Sequence, residues 1–188
     1  MTKITVLVTS LLFVGSYVVT GWSIQLLSLF VLATLTMPLA VTDIKEHKLP
    51  NSLTSAGFIA GLGVSIVLGI KENSFSPLIY SLSVALLAGS AFLLLNLASR
   101  GGMGMGDVKL AVMLGALFAP FGWQVLVMGF IVAFVLGAII GLILLASKKA
   151  NRKTLIPFGP YLLVGAWVSL FFGANKVQHI FNLWSINF

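Results

Sequence analysis

The sequence contains no cysteine, and this absence excludes several kinds of chemistry. Without thiols the chain can form no disulfide, no cysteine-ligated zinc site and no covalent thiol intermediate. Histidine is almost as scarce, with His47 in a predicted loop and His179 in the predicted tail, and such isolated histidines do not form a metal-ligand set. We therefore expect a protein that needs neither a metal nor another cofactor.

Charged residues are the second scarcity. They make up 8% of the 188 residues, against 59% for hydrophobic residues, and the mean hydropathy is +1.12. A water-soluble domain of this length would not be so apolar, so the composition predicts an all-α, polytopic helical bundle in a lipid bilayer. The net charge of +7 comes from basic residues clustered in short loops between apolar runs, which is typical of cytoplasmic loops and not of a nucleic-acid-binding surface.

The long uncharged runs predict about seven transmembrane spans. The 39 residues between Lys3 and Asp43 would extend about 58 Å as one helix, whereas the hydrocarbon core is about 30 Å thick, so they form two spans that reverse at residues 20–23. The uncharged run from residue 110 to residue 147 is divided in the same way at residues 119–122. The third to seventh spans are predicted at residues 53–70, 77–98, 107–119, 123–146 and 155–172.

The spans are expected to form a single domain, residues 1–188, with three parts. Residues 1–42 supply two N-terminal spans, and residues 43–172 form the core that carries the polar motifs. In residues 176–188 apolar side chains recur at helical spacing between polar ones, which predicts an interfacial helix too short to span the membrane.

The distribution of basic residues predicts the orientation in the membrane. With the N-terminus in the cytoplasm, nine of the 11 basic residues lie inside, all except Lys71 and Lys176. This orientation also places Asp43, Asp107 and residues 157–160 on the cytoplasmic side. The two aspartates can therefore belong to one site.

A glycine-rich break precedes the fifth span, and Asp107 lies at its end. Four glycines in six positions, Gly104 and Gly106 among them, let the backbone take positive φ and turn tightly, after which Asp107 opens a helix. In a soluble protein such an aspartate is an ordinary helix cap. In a membrane chain with only four acidic residues, an ionisable group near the hydrocarbon indicates function. Because residues 107–119 cover only about 20 Å as a helix, Asp107 is predicted to lie below the membrane surface.

Two carboxylates that share a proton can hydrolyse an amide, one activating water and the other protonating the leaving nitrogen. Asp43 follows the second span and would feel the negative end of its helix dipole, whereas Asp107 starts a span and would feel a positive end. This difference favours Asp107 as the base, although nearby lysines could reverse the order. Lys45, Lys48 and Lys109 are either topology determinants or cations that stabilise the carboxylates.

Two further segments flank the predicted site. Pro50 closes the polar loop after Asp43, and Asn51 or Ser52 is expected to cap the third span. Residues 157–160, with two prolines and a glycine, indicate a helix break, and the carbonyl groups that such a break frees are tolerated at membrane depth only against protein or water.

Three motifs thus occur in order, each at the end of an apolar span. They are Asp43 with Pro50-Asn51, then Gly104-Met105-Gly106-Asp107-Val108-Lys109, then Ile156-Pro157-Phe158-Gly159-Pro160-Tyr161. Together they resemble the motifs of the type IV prepilin leader peptidases, which are GxGD aspartyl proteases of the inner membrane. The resemblance covers roughly residues 40–172.

The resemblance implies an endopeptidase that cuts the short basic leader of a prepilin or pseudopilin after Gly at the cytoplasmic membrane face. Asp43 and Asp107 would carry the cut. Other residues are expected to support them, namely Lys109, Gly104, Gly106, Pro50, Asn51, Pro157, Gly159 and Pro160. Longer family members carry a cysteine-containing domain associated with methylating the new N-terminus. Because this sequence has neither the cysteines nor a loop for that domain, cleavage without N-methylation is expected.

Other functions remain open at this point. A presenilin or signal-peptide-peptidase relative also carries GxGD, but the tyrosine that precedes the first aspartate in that family is Thr42 here and no Pro-Ala-Leu triplet is present. A small proton-coupled or cation-coupled transporter or channel would use two intramembrane aspartates, although the sequence shows no related halves of the kind that many transporters have. A structural partner in a secretion machine would explain the apolar spans but not the aspartate motifs.

Overall fold

The computed structural model describes residues 2–99, 103–147 and 157–173. In these ranges the regular structure is helical, without strands, which confirms the predicted all-α class. The α-helices are α1 (Thr2–Thr20), α2 (Gln25–Glu46), α3 (Asn51–Glu72), α4 (Ser76–Ala98), α5 (Met105–Phe118), α6 (Trp123–Ala146) and α7 (Gly159–Gly173), with a 3-10 turn at Ala119–Phe121 between α5 and α6.

The predicted spans correspond to these helices with small shifts at the ends. The reversals at residues 20–23 and 119–122 are confirmed, and α6 has the predicted bounds. The predicted boundary between residues 42 and 43 falls inside α2, so the second span and the predicted core share one helix. The start of the predicted seventh span at residues 155–156 and the predicted tail helix at residues 176–188 lie outside the described residues.

Five of the seven described helices are long and apolar enough to cross a membrane, namely α1, α2, α3, α4 and α6. The other two are shorter, with 14 residues in α5 and 15 in α7. At 1.5 Å per residue they extend about 21 and 22 Å, less than the hydrocarbon thickness of about 30 Å. The fold is therefore a membrane bundle of five long helices and two short ones.

The short helix α5 occupies the centre of the bundle and packs against α2, α3, α4, α6 and α7. Ten of its 14 residues are buried. Close packing on α4 requires a glycine, because a Cβ atom at Gly115 would lie 2.6 Å from the Cα atom of Ala85. Small residues of this kind let helix backbones approach each other where no hydrophobic effect drives association.

Helices α2 and α7 pack antiparallel, and two buried hydrogen bonds fix their register. The Trp167 indole N–H donates to Thr36 Oγ1 at 2.9 Å, and the Gly159 backbone N–H donates to Asp43 Oδ2 at 2.9 Å. The two bonds lie about two helical turns apart on both helices. This register brings the first turn of α7 against the last turn of α2.

Candidate active site

Asp107 lies in the first turn of α5, and its carboxylate is held by the backbone that leads into the helix. The helix begins at Met105, two residues earlier than predicted, so the prediction that Asp107 opens the helix is wrong. Asp107 is its third residue, and Oδ2 accepts the Gly104 N–H at 3.2 Å, which satisfies a group that has no partner within the helix. The side chain is only 6% exposed, so the carboxylate is buried within the protein.

Neither Gly104 nor Gly106 has an unusual backbone, and Gly106 is required by close packing. Gly104 has φ −75° and ψ 145°, and the described glycines with positive φ are Gly21 and Gly122. Gly104 and Gly106 therefore do not use the positive φ that glycine permits. A Cβ atom on Gly106 would come within 3.1 Å of the Leu49 Cβ atom. Gly106 thus lets the loop after α2 lie against the start of α5.

Asp43 lies inside the last turn of α2, not after it as predicted. The helix ends at Glu46, and His47 adopts a left-handed conformation from which its N–H donates to the Asp43 carbonyl at 2.9 Å. The Asp43 side chain is 5% exposed, and its Oδ2 accepts the N–H of Gly159, the first residue of α7. A Cβ atom on residue 159 would lie 2.7 Å from this oxygen, so the approach requires glycine.

The two carboxylates therefore have more similar surroundings than the helix directions alone indicate. Asp43 belongs to the C-terminal turn of α2 but accepts a hydrogen bond from the N-terminal residue of α7, and Asp107 accepts one from the residue that precedes α5. Both carboxylates thus lie at the positive end of a short helix. The dipole argument that favoured Asp107 as the base no longer separates their roles.

Both carboxylates line one cavity of about 970 Å³ at this end of the bundle. The predicted supporting residues that also line it are Gly104, Gly106, Lys109, Pro50, Asn51 and Pro157. Gly159 contributes through its N–H bond to Asp43, whereas Pro160 is not among the lining residues. Apolar side chains complete the described wall, among them Leu95, Met103, Phe134 and Phe158. Within the described residues no group of three or more His, Cys, Asp or Glu side chains could hold a metal ion.

Lys109 joins the two segments that carry the polar motifs. Its ammonium group donates to Asn51 Oδ1 at 2.6 Å, which links the second turn of α5 to the first residue of α3. Asn51 or Ser52 was expected to cap α3, but α3 has no side-chain cap and Pro50 occupies the cap position. The Asn51 side-chain amide therefore forms a hydrogen bond between helices and does not cap its own helix. The neighbouring Leu49 is buried.

Sequence reasoning missed two polar residues at the end of α4 that hold the start of the Asp107 motif. The Asn96 side-chain amide donates to the Met103 carbonyl, and the Ser99 hydroxyl accepts the Met103 N–H at 3.2 Å. The available signal was an amide in an otherwise apolar run, because a polar side chain in such a helix requires a partner.

These features define a class: a helical membrane protein with two buried aspartates, each held by a backbone N–H, on one cavity. The family follows from comparison with known proteins. Residues 29–142, more than half of the chain, match the model of the type IV leader peptidase family, and the chain belongs to that family. The resemblance drawn from the three motifs is thereby confirmed, and the matched region includes Asp43 and Asp107.

Curated relatives support this assignment over a wider part of the chain. The prepilin leader peptidase/N-methyltransferase of Stutzerimonas stutzeri is 35% identical over 162 residues, which are 81% of this chain and 52% of that protein. The protein of the same name from Pseudomonas aeruginosa is 40% identical over 56% of this chain and 38% of its own length. The protein of that name from Xanthomonas campestris pv. campestris is 31% identical over 92% of this chain and 59% of its own length. The chain spans about half the length of these relatives. No solved structure matches the chain.

Proposed function

We propose that this chain is an aspartic endopeptidase that removes the leader of type IV prepilins or pseudopilins. The observation that carries the proposal is the convergence of Asp43 and Asp107, which are 64 residues apart in sequence, on one cavity where each carboxylate is buried and accepts a backbone N–H. Buried ionisable groups in a membrane protein are costly and tend to mark function. Membership of the leader peptidase family supports the same reaction.

The chemistry requires only the two carboxylates and water. One carboxylate takes a proton from water as the water attacks the scissile carbonyl carbon, and the other, in its protonated form, gives a proton to the leaving nitrogen. Two acidic groups in one cavity resist double ionisation, which favours a state with one shared proton. The N–H groups of Gly104 and Gly159 orient the two carboxylates before substrate arrives, so less reorganisation is needed during the reaction.

The substrate class follows from the family and from the position of the cavity. The cavity lies at the end of the bundle where α2 ends and α3 and α5 begin, which is the side to which the topology predicted from the sequence assigns nine of the 11 basic residues. A cytoplasmic active site in the inner membrane follows from that charge bias. A membrane-anchored prepilin whose short basic leader ends in Gly would present its cleavage site at this level.

We further propose that the chain cleaves without methylating the new N-terminus. The relatives are named for both activities. Within the chain there is no cysteine, and only residues 21–24 separate α1 from α2. A cysteine-containing domain therefore has no place between these helices.

The test is a cleavage assay with purified chain and a prepilin in detergent or vesicles. Asp43→Asn and Asp107→Asn are each expected to abolish leader removal while the protein still inserts, because each removes one half of the proton cycle and little packing volume. Glu72→Gln is the matched control, since it removes an exposed carboxylate at the far end of α3 and should cleave normally.

The same variants separate the protease from a transporter or channel. Normal cleavage by either aspartate variant would show that the paired carboxylates do not perform the hydrolysis. If wild-type chain leaves prepilin intact but moves protons or cations across vesicles, and the aspartate variants lose this transport, the transporter alternative is correct.

A further inference from the structure

A single amide side chain lies in the last turn of α4, whose sequence is otherwise apolar apart from hydroxyl groups. Asn96 is half-buried, its sequence neighbours are Leu95 and Leu97, and α4 contains no other Asn or Gln. An amide in such a helix lowers the stability of the bundle unless its hydrogen-bonding groups are satisfied. Its Nδ2 donates to the carbonyl oxygen of Met103, seven residues later, where the chain returns toward α5.

The Met103 carbonyl belongs to the same peptide group as the Gly104 N–H. That N–H donates to Asp107 Oδ2 at 3.2 Å. A trans peptide group is planar, with its C=O and N–H pointing in opposite directions, so a bond that fixes the carbonyl also fixes the direction of the N–H. Asn96 and Asp107 are therefore joined through one rigid peptide group.

Ser99 holds the same residue from the other side, through a different peptide group. Its hydroxyl accepts the Met103 N–H, which belongs to the peptide that precedes Met103. The described lining of the cavity includes Ser99 and Met103 but not Asn96. A contribution of Asn96 to the reaction thus has to pass through the Met103–Gly104 peptide and not through contact with substrate.

We propose that Asn96 is a positioning residue that orients the Asp107 carboxylate through the Met103–Gly104 peptide, and that the reaction rate depends on this orientation. The proposal rests on the proposed peptidase function. The Asn96 amide also polarises the peptide to which it is bound, which strengthens the Gly104 N–H as a donor. Loss of the Asn96 donor leaves that peptide free to rotate, and Asp107 loses its fixed direction.

The experiment measures kcat and KM for prepilin cleavage by five variants of the full chain. Asn96→Leu removes the donor, Asn96→Asp replaces the donating nitrogen by oxygen at nearly constant shape, and Asn96→Gln keeps the amide on a longer side chain. Ser99→Ala removes the other contact to Met103. Ser83→Ala, an exposed position on the same helix away from the cavity, is the matched control.

For Asn96→Leu and Asn96→Asp the expected result is a kcat about 10- to 100-fold below wild type with KM within about 2-fold, because misorientation of a reacting group reduces the rate of the bound complex. Asn96→Gln should recover part of kcat, Ser99→Ala should lose less than Asn96→Leu, and Ser83→Ala should match wild type. If Asn96→Leu fails to accumulate in the membrane, the isosteric Asn96→Asp decides the question.

Three results would overturn the proposal. The first is a kcat within 2-fold of wild type for Asn96→Asp. The second is an effect of the Asn96 variants on KM alone, with kcat unchanged. The third is an equal loss of kcat in Asn96→Leu and Ser99→Ala, which would indicate that both side chains merely anchor the segment. Wild-type chain is measured in parallel with Asp107→Asn. Failure of wild type to cleave would contradict the peptidase function itself, whereas wild-type cleavage with an unaffected Asn96 variant would contradict only the positioning role.

Discussion

Gly159→Ala tests the geometry of the site more sharply than removal of either aspartate. The Gly159 N–H is the hydrogen-bond donor to the buried Asp43 carboxylate, at 2.9 Å. A methyl group at this position would lie 2.7 Å from Oδ2 and 3.1 Å from Cγ of Asp43, whereas ordinary contacts begin at 3.4 Å. The carboxylate would have to move away by about 0.7 Å, which is the difference between the ordinary contact distance of 3.4 Å and the 2.7 Å to Oδ2. It would then lose the hydrogen bond that orients it.

The size of the effect follows from that lost bond. A hydrogen bond to a charged group contributes about 1.5–3 kcal/mol. If this orientation is needed in the transition state, each 1.36 kcal/mol lowers the rate tenfold, so kcat should fall by about 10- to 100-fold. Because the methyl group also strains a buried contact, we expect a lower thermal stability in detergent as well.

The assay is prepilin cleavage under saturating and limiting substrate, with Gly63→Ala as the matched control. A Cβ atom at Gly63 meets nothing within 4 Å, and alanine is the better helix former, so that variant should keep full activity and gain slight stability. A Gly159→Ala enzyme with wild-type kcat would refute the conclusion that the α7 N-terminus orients Asp43.

Three other predictions follow from the site. Lys109→Ala and Asn51→Ala should each reduce activity by a few-fold, and the double variant should be no worse than either single one, because both act through the same hydrogen bond; additive losses would mean that Lys109 acts through its charge on the carboxylates. Mass spectrometry of cleaved pilin should show no added methyl group with S-adenosylmethionine present, and a methyl group that depends on this chain would contradict that prediction. In the cysteine-free chain, Asp43→Cys with Asp107→Cys should cross-link through a short bifunctional thiol reagent within one molecule. The two positions do not share a site if each thiol is labelled singly without cross-linking, while a control pair between neighbouring helices does cross-link.

The sequence was sufficient to predict that the two aspartates lie on the same side of the membrane, because helix number and charge bias determine the side on which each helix end lies. Asp43 ends one predicted span and Asp107 begins another on the same side, and the structure places both on one cavity. Span counting works because backbone groups in a bilayer must be satisfied within each helix. It is independent of how the helices pack.

The partners of each carboxylate depend on packing and could not be predicted in this way. The Asp43–Gly159 bond joins residues 116 apart, and it exists because α2 and α7 pack in one particular register. The role of Gly106 was also obscure in sequence, because a glycine-rich segment indicates backbone freedom, whereas this glycine makes space for Leu49. Asn96 was overlooked since its partner is a backbone carbonyl, which has no sequence signature.

The two short helices relate the fold to the site. At about 21 and 22 Å, α5 and α7 cannot cross a hydrocarbon core of about 30 Å from one surface to the other. If their C-terminal ends reach one membrane surface, their N-terminal ends lie below the opposite surface, on the side of the cavity. These are the ends at which Asp107 and Asp43 accept N–H groups. A helix long enough to cross the membrane would carry its first N–H groups to the membrane surface. A short helix instead directs these N–H groups at a carboxylate inside a cavity walled by protein, and in such a place non-helical backbone is tolerated.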